Sequence, residues 1–282
     1  MKKILIINLL LLNIISTNAE VIEIPGKIIL SQDDFYLKGK VKTMNLFNYS
    51  ESSKNLKDKI NIIINFHENG LVKKIDSSEG VLGQEFFYGE NSSNLVQHDT
   101  FYTSNEQSKT NHLTGFVKDY TENHPSTIVY NSPKIKNFVV LKKKVTYQEN
   151  LEVIEYFSQN SQFKFNLISK VRNLYDSKTH KLINSTKMFP DFFKKGAFDQ
   201  IKINYNDYGI SSIVSKFGTT RYHYKDNELF EIISPNKSSL NLLYSDYRYD
   251  LCGNWIKRKI IDKDAQQITI ETREFEYYLP CK

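Results

Sequence analysis

Several residue types are scarce, and each scarcity removes a class of protein. Cysteine occurs only twice, as Cys252 and Cys281, and methionine three times. That is too little sulfur for a disulfide-dense scaffold or a cysteine-rich metal centre. No apolar stripe of helical period runs along the chain, which argues against a helical bundle. One helical turn is expected at 191–196, stopped by Gly196. Beyond the first residues no apolar run reaches the roughly 20 residues of a membrane helix. Charge of a single sign is missing too. Lys and Arg number 38 against 32 Asp and Glu, and they are interspersed. A formal charge of +6 supports solubility and gives no nucleic-acid footprint. Gly-x-Ser-x-Gly, a phosphate-binding glycine loop and His-Glu-x-x-His are all missing. No catalytic residue and no cofactor is assigned on this basis, and paired acids such as Asp33-Asp34 read as solvated turn residues.

The N-terminus has the three-part order of an export signal. Lys2 and Lys3 precede an apolar run from Ile4 to Ile15, and the small or polar Ser16, Thr17, Asn18 and Ala19 follow. Cleavage near Ala19 would leave a periplasmic or secreted chain with no transmembrane segment, beginning at Glu20. In that oxidising setting Cys252 and Cys281 are expected to pair. They flank a predicted hairpin whose strands run from Trp255 to Ile261 and from Ile268 to Tyr278, so the hairpin ends bring the sulfurs together.

Aromatics are abundant, with 18 Tyr and 18 Phe. Together with β-branched residues they suit a pleated, half-buried surface. Ile60, Ile62, Ile64 and Phe66 alternate with Asn61 and Asn65, and Ile201, Ile203 and Tyr205 alternate with Lys202 and Asn204. A period of two predicts strands. Ile268 and Ile270 are out of phase with Phe275 and Tyr277, which predicts a bulge near Thr272.

Polar turns punctuate these strands. His67-Glu68-Asn69-Gly70 follows Phe66, Asn206-Asp207-Tyr208-Gly209 follows Tyr205, and Asp250-Leu251-Cys252-Gly253 follows Tyr249. In each, an inward aromatic ends the strand and glycine supplies the positive φ of the turn. Lys225-Asp226-Asn227-Glu228 is a version without glycine. Tyr247-Arg248-Tyr249-Asp250-Leu251-Cys252-Gly253-Asn254-Trp255 resembles the Tyr-Asp repeat of the Rhs/YD family, and 205–209 and 66–70 resemble degenerate copies. Leu37-Lys38-Gly39-Lys40-Val41-Lys42 is similar to the opening strand of exported bacterial proteins that carry such repeats. The resemblance implies antiparallel hairpins in a meandering sheet and assigns no catalytic residue.

The expected fold is therefore all-β: an antiparallel hairpin-repeat sheet, curled or partly closed, with a loop-rich middle. Residues 1–19 form the signal, 20–90 an N-terminal β part, 91–132 an irregular segment rich in Ser, Thr, Asn and Gln, and 133–282 a C-terminal β part. His98, His112 and His124 lie in the middle segment, 14 and 12 residues apart. Their spacing fits neither a helical nor a compact strand pair, and even with Asp99 beside His98 they read as loop residues, with no metal. Tyrosines crowd the C-terminal third, and Tyr222, Tyr224, Tyr247, Tyr249 and Trp255 are the candidate binding surface. The expected function is non-enzymatic, with an envelope protein or glycan as partner. A hydrolase of envelope polymers and an immunity-type assembly partner are the rivals. Exposed sheet edges would allow pairing with a second copy.

Overall fold

A computed structural model describes residues 30–51, 60–77, 82–89, 94–104, 109–121, 124–131, 139–159, 162–179, 182–190, 198–234 and 241–281. The signal sequence and the helical turn expected at 191–196 lie outside these residues. A short 3-10 helix, Gln32–Phe35, precedes eighteen described strands. The first nine are β1 (Val41–Ser50), β2 (Ile60–Phe66), β3 (Val72–Ser77), β4 (Leu82–Tyr88), β5 (Leu95–Ser104), β6 (Lys109–Thr121), β7 (His124–Asn131), β8 (Val139–Gln148) and β9 (Leu151–Gln159). The second nine are β10 (Phe165–Tyr175), β11 (Leu182–Pro190), β12 (Phe198–Asn206), β13 (Gly209–Ser215), β14 (Gly218–Lys225), β15 (Glu228–Ile233), β16 (Leu242–Tyr249), β17 (Trp255–Asp262) and β18 (Gln267–Tyr277).

Each strand pairs antiparallel with its sequence neighbours, and β18 pairs back onto β1 from Ser50↔Thr269 to Val41↔Tyr277. The sheet is a closed up-and-down barrel. Closure settles what "curled or partly closed" left open, and it removes the free edges on which strand addition would depend. The barrel also corrects the loop-rich middle, since β5, β6 and β7 occupy most of it. Their Ser, Thr and Asn content misleads because composition does not register alternation. In β6, Leu113 and Gly115 turn inward while Thr114 and Phe116 turn outward.

Register separates the two faces. Ile62 pairs with Leu46, Ile64 with Met44, and Met44 with Phe275 on one face, while Asn65 pairs with Thr43 on the other. The first face is the inner one. It carries the buried Met44, Ile64, Phe66, Phe86, Ile128, Val145, Ile154 and Val171, with Phe35 of the 3-10 helix packed against them. A second inner cluster joins Leu229, Ile232, Leu242, Tyr244 and Ile260. Burial of apolar side chains at about 25 cal/mol per Å² makes these clusters the main source of stability.

The outer face is different. Lys144 pairs with Glu155, Glu155 with Lys170, Arg172 with Thr186, and Thr186 with Lys202. Arg221, Lys257 and Lys259 continue the outward charge on β14 and β17. These residues sit within their strands, not at the rims, and Lys170 binds Glu155 at 2.9 Å. A lipid-facing wall would need an apolar band, and each Arg or Lys at the bilayer midplane costs about 2–4 kcal/mol. No described helix is long and apolar enough to cross a membrane, a statement that leaves β-barrels aside. The outer face also carries exposed apolar residues: Phe116 on β6, Val214 paired with Lys202, and Ile233 paired with Arg221.

The expected bulge at Thr272 is corrected. From Thr269 to Glu276 the β1 register is unbroken, and the shift lies at the strand end between Val41 and Thr43. Both apolar phases of β18 are real. Ile268 and Ile270 point outward, Phe275 points inward, and the inward positions between them hold Glu271 and Arg273.

Candidate functional site

Both ends of the described chain lie at one mouth of the barrel, with the turns 67–71, 149–150, 207–208, 226–227 and 250–254. Two of these turns share one geometry. Gly70 N donates to His67 O at 2.9 Å and His67 N to Leu71 O at 2.8 Å; Gly253 N donates to Asp250 O at 3.1 Å and Asp250 N to Asn254 O at 2.9 Å. Gly70 and Gly253 hold φ of 84° and 80°, which the turn requires and a side chain would strain.

The N-terminal segment is clasped between these two turns. At one end Gln32 N donates to Gly70 O at 2.8 Å, and Ser31 bridges Leu71. Asp34 Oδ2 accepts from Ser31 N at 2.7 Å and so caps the 3-10 helix. At the other end Lys38 N donates to Asn254 Oδ1 at 2.7 Å, and Asn254 Nδ2 donates to Lys38 O and to the Tyr277 hydroxyl, both at 2.8 Å. Tyr277 in turn donates to Asp250. Cys252 and Cys281 bring their Cα atoms to 5.3 Å, a disulfide-capable separation that ties this turn to the C-terminal tail. A Cβ on Gly39 would lie 3.0 Å from Cys252 Sγ and 3.3 Å from Cys281 Sγ, so only glycine lets the chain pass the bridge.

Under this clasp lies a cavity of about 540 Å³. Of the residues singled out from sequence, Tyr224, Tyr247, Tyr249 and Trp255 line it. Tyr222 does not. It packs against the second inner cluster, and burial pushes its phenol up to about 12. Tyr36 and Tyr208, which sequence reasoning passed over, also line the cavity and are the more open rings, at 54% and 49% exposed, with Tyr249 at 45%. The readable signal for Tyr208 was its place in a two-residue turn, where a ring has no core to fill. Tyr36 adopts φ 52°, a left-handed conformation uncommon for a bulky residue.

Polar groups complete the lining: Asp207, Asp226, Glu228, Asn227, Asn254, Lys38 and Arg273. Asn206 Oδ1 accepts from Tyr208 N at 2.9 Å and Gly209 N at 3.1 Å, which fixes the turn that presents Asp207. Asp226 and Asn227 both take positive φ, the two-residue hairpin geometry that these side chains tolerate without glycine. Glu228 accepts from the Tyr249 hydroxyl.

Behind the cavity the Arg258–Glu271 ion pair is fully buried. The Arg258 guanidinium stands 4.3 Å from the Trp255 ring and 4.8 Å from Tyr244, and that of Arg273 stands 3.7 Å from Trp255. Trp255 is therefore held by two cations, while Tyr208 lies against Tyr224 and Tyr249 stacks on Tyr247, with ring centroids 5.8 and 6.3 Å apart.

The histidines do not converge. His98 faces inward, stacked on Phe86 with ring centroids 4.6 Å apart and bonded to the Tyr130 hydroxyl at 2.9 Å and Gln84 at 3.3 Å. Burial, and secondarily the charge of Lys143, pushes it down to about 3, so it stays neutral. His112 faces outward and meets Asp99 at 3.1 Å. Nothing is described of the His124 side chain. No cluster of three or more His, Cys, Asp or Glu that could hold a metal occurs among the described residues.

No family model matches this chain, and no curated protein matches it. Among solved structures it is similar to a porin-like protein from Bacteroides uniformis ATCC 8492, at 11% identity over 85% of this chain and 99% of that one, with a TM-score of 0.29. It is also similar to a porin-like protein from Bacteroides vulgatus ATCC 8482, at 8% identity over 85% of this chain and all of that one, with a TM-score of 0.38. Both scores are low, so closure rests on the chain's own register. The resemblance to the Rhs/YD family is overturned: the hairpins belong to one closed barrel, in which β18 pairs back onto β1. The Tyr-Asp motif of 249–255 is the turn that clasps Lys38.

Proposed function

We propose that the chain is an exported, non-enzymatic barrel that faces water on its outside and binds a glycan in its end cavity. One observation carries this reading: tyrosine rings, carboxylates and carboxamides share a concave site of about 540 Å³. Flat rings stack on the apolar face of a sugar, and fixed acceptors and donors take its hydroxyls. Export follows from the basic, apolar and small-residue order of residues 1–19. The binding surface proposed from sequence moves from the open sheet to this cavity.

Titration calorimetry with envelope-derived oligosaccharides tests the proposal. The Tyr208→Ala/Tyr249→Ala double variant is expected to weaken binding at least about tenfold, the equivalent of roughly 1.4 kcal/mol. Binding unaltered in this variant contradicts the site. Cleavage of the oligosaccharide during the titration would replace the binding reading with the hydrolase one.

A further inference from the structure

We propose that the mouthward half of the β14–β15 hairpin, residues 222–230, is a hinged lid on this cavity. The inference goes beyond the glycan reading and does not depend on it.

The hairpin is joined to the wall at its base. The register of β14 with β13 runs from Ser215↔Gly218 to Ser212↔Arg221 and ends there. The register of β15 with β16 holds Ile232↔Leu242 and Glu231↔Leu243 and ends there. Mouthward of that line, register continues between β14 and β15, from His223↔Glu231 to Lys225↔Glu228. Both strands beside the β15–β16 gap are bulged at this level. Phe230 is an extra residue on β15, and Asp246 and Tyr247 interrupt the register of β16 with β17. Bulges bend a strand and end its pairing, so the hinge falls at Arg221 and Glu231. Lys263 fastens that line, 2.7 Å from Glu231.

Tyrosine hydroxyls span the gaps on either side. Tyr224 donates to Ile210 O at 3.1 Å across one, and Tyr247 donates to Leu229 O at 2.7 Å across the other, where Tyr249 also donates to Glu228. These side-chain bonds release without unzipping a strand ladder. Leu229, 1% exposed, seats the hairpin on the second inner cluster, while Asp226 and Asn227 at its tip are exposed. The same hairpin supplies Tyr224, Asp226, Asn227 and Glu228 to the cavity lining. The N-terminal segment, by contrast, is held at both ends, by Gly70 and by Asn254. Motion that uncovers the cavity therefore belongs to the hairpin, the part with least backbone pairing to its surroundings.

The test uses the oxidised, processed protein and two readouts. Methyl relaxation dispersion reports motion on the microsecond-to-millisecond scale of lids. Exchange is expected at Leu229 as it leaves its seat, and none at Ile64 and Ile154 of the first cluster. Acrylamide quenching of Trp255, the single tryptophan and a lining residue, reports access to the cavity. The Tyr224→Phe/Tyr247→Phe variant keeps both rings and removes both hydroxyls. It is expected to raise the open population at least about fivefold, as the loss of two ordinary hydrogen bonds implies, and to increase quenching of Trp255. A Leu229 methyl without exchange in the parent protein overturns the lid, and that measurement decides alone if the variant does not fold. Quenching left unchanged in a folded variant overturns it as well, because the hairpin would then not cover the cavity.

Discussion

Glu271 shows most clearly how a single residue is decided by its surroundings. It lies on the inner face of β18, fully buried with Arg258, beside Asn48 of β1. Two buried charges cost several kcal/mol each in lost hydration, and the pair persists because each partner offsets the other. Removing one leaves the other stranded. Glu271→Ala is expected to destabilise the fold by about 3–5 kcal/mol in chemical denaturation, whereas Arg258→Met combined with Glu271→Leu should recover most of that loss. A Glu271→Ala variant as stable as the parent would remove the pair from the account. Sequence periodicity placed Ile62, Ile64, Phe66, Ile201, Ile203 and Tyr205 on one face, and the register agrees. It misjudged β18, because an inward Glu and Arg look polar and therefore outward until a partner strand supplies the opposite charge.

Turns were the most legible elements. Asp250-Leu251-Cys252-Gly253 and His67-Glu68-Asn69-Gly70 were readable as glycine turns, and both have that geometry. What they grip was not readable, because the contact from Asn254 to Lys38 crosses 216 residues. The same holds for the cavity, whose tyrosines come from the N-terminal segment, the β12–β13 turn and the end of β16. The Cys252–Cys281 pair ties turn and tail together over a sequence separation of 29. Linking a loop of that length lowers the entropy of the unfolded chain, worth about 3–4 kcal/mol in the simplest model. Cys252→Ser/Cys281→Ser is expected to lower the midpoint of denaturation accordingly, and to raise hydrogen exchange first at Lys38 and Asn254. Unchanged exchange at those amides would show that the clasp holds without the pair.

At the scale of the whole molecule, closure is the property least visible in sequence. Every hairpin is local and announces itself through alternation and turn residues. The seam between β18 and β1 joins opposite ends of the chain and has no local mark. Closure gives every described strand two neighbours and gives a mouth where the turns converge on one cavity. The same architecture serves lipid or water, and the side chains on the outer wall decide between them. Lys144, Arg172, Lys202 and Arg221 are exposed in mid-strand, while Ile64, Ile154 and Val171 are buried inside.

Flotation of the processed protein with phospholipid vesicles, after purification without detergent, tests this directly. A barrel with a water-facing wall is expected to remain monodisperse without detergent and to stay at the bottom of the density gradient. Aggregation relieved only by detergent, or migration with the vesicles, would mean that the charged wall meets lipid and would contradict the account.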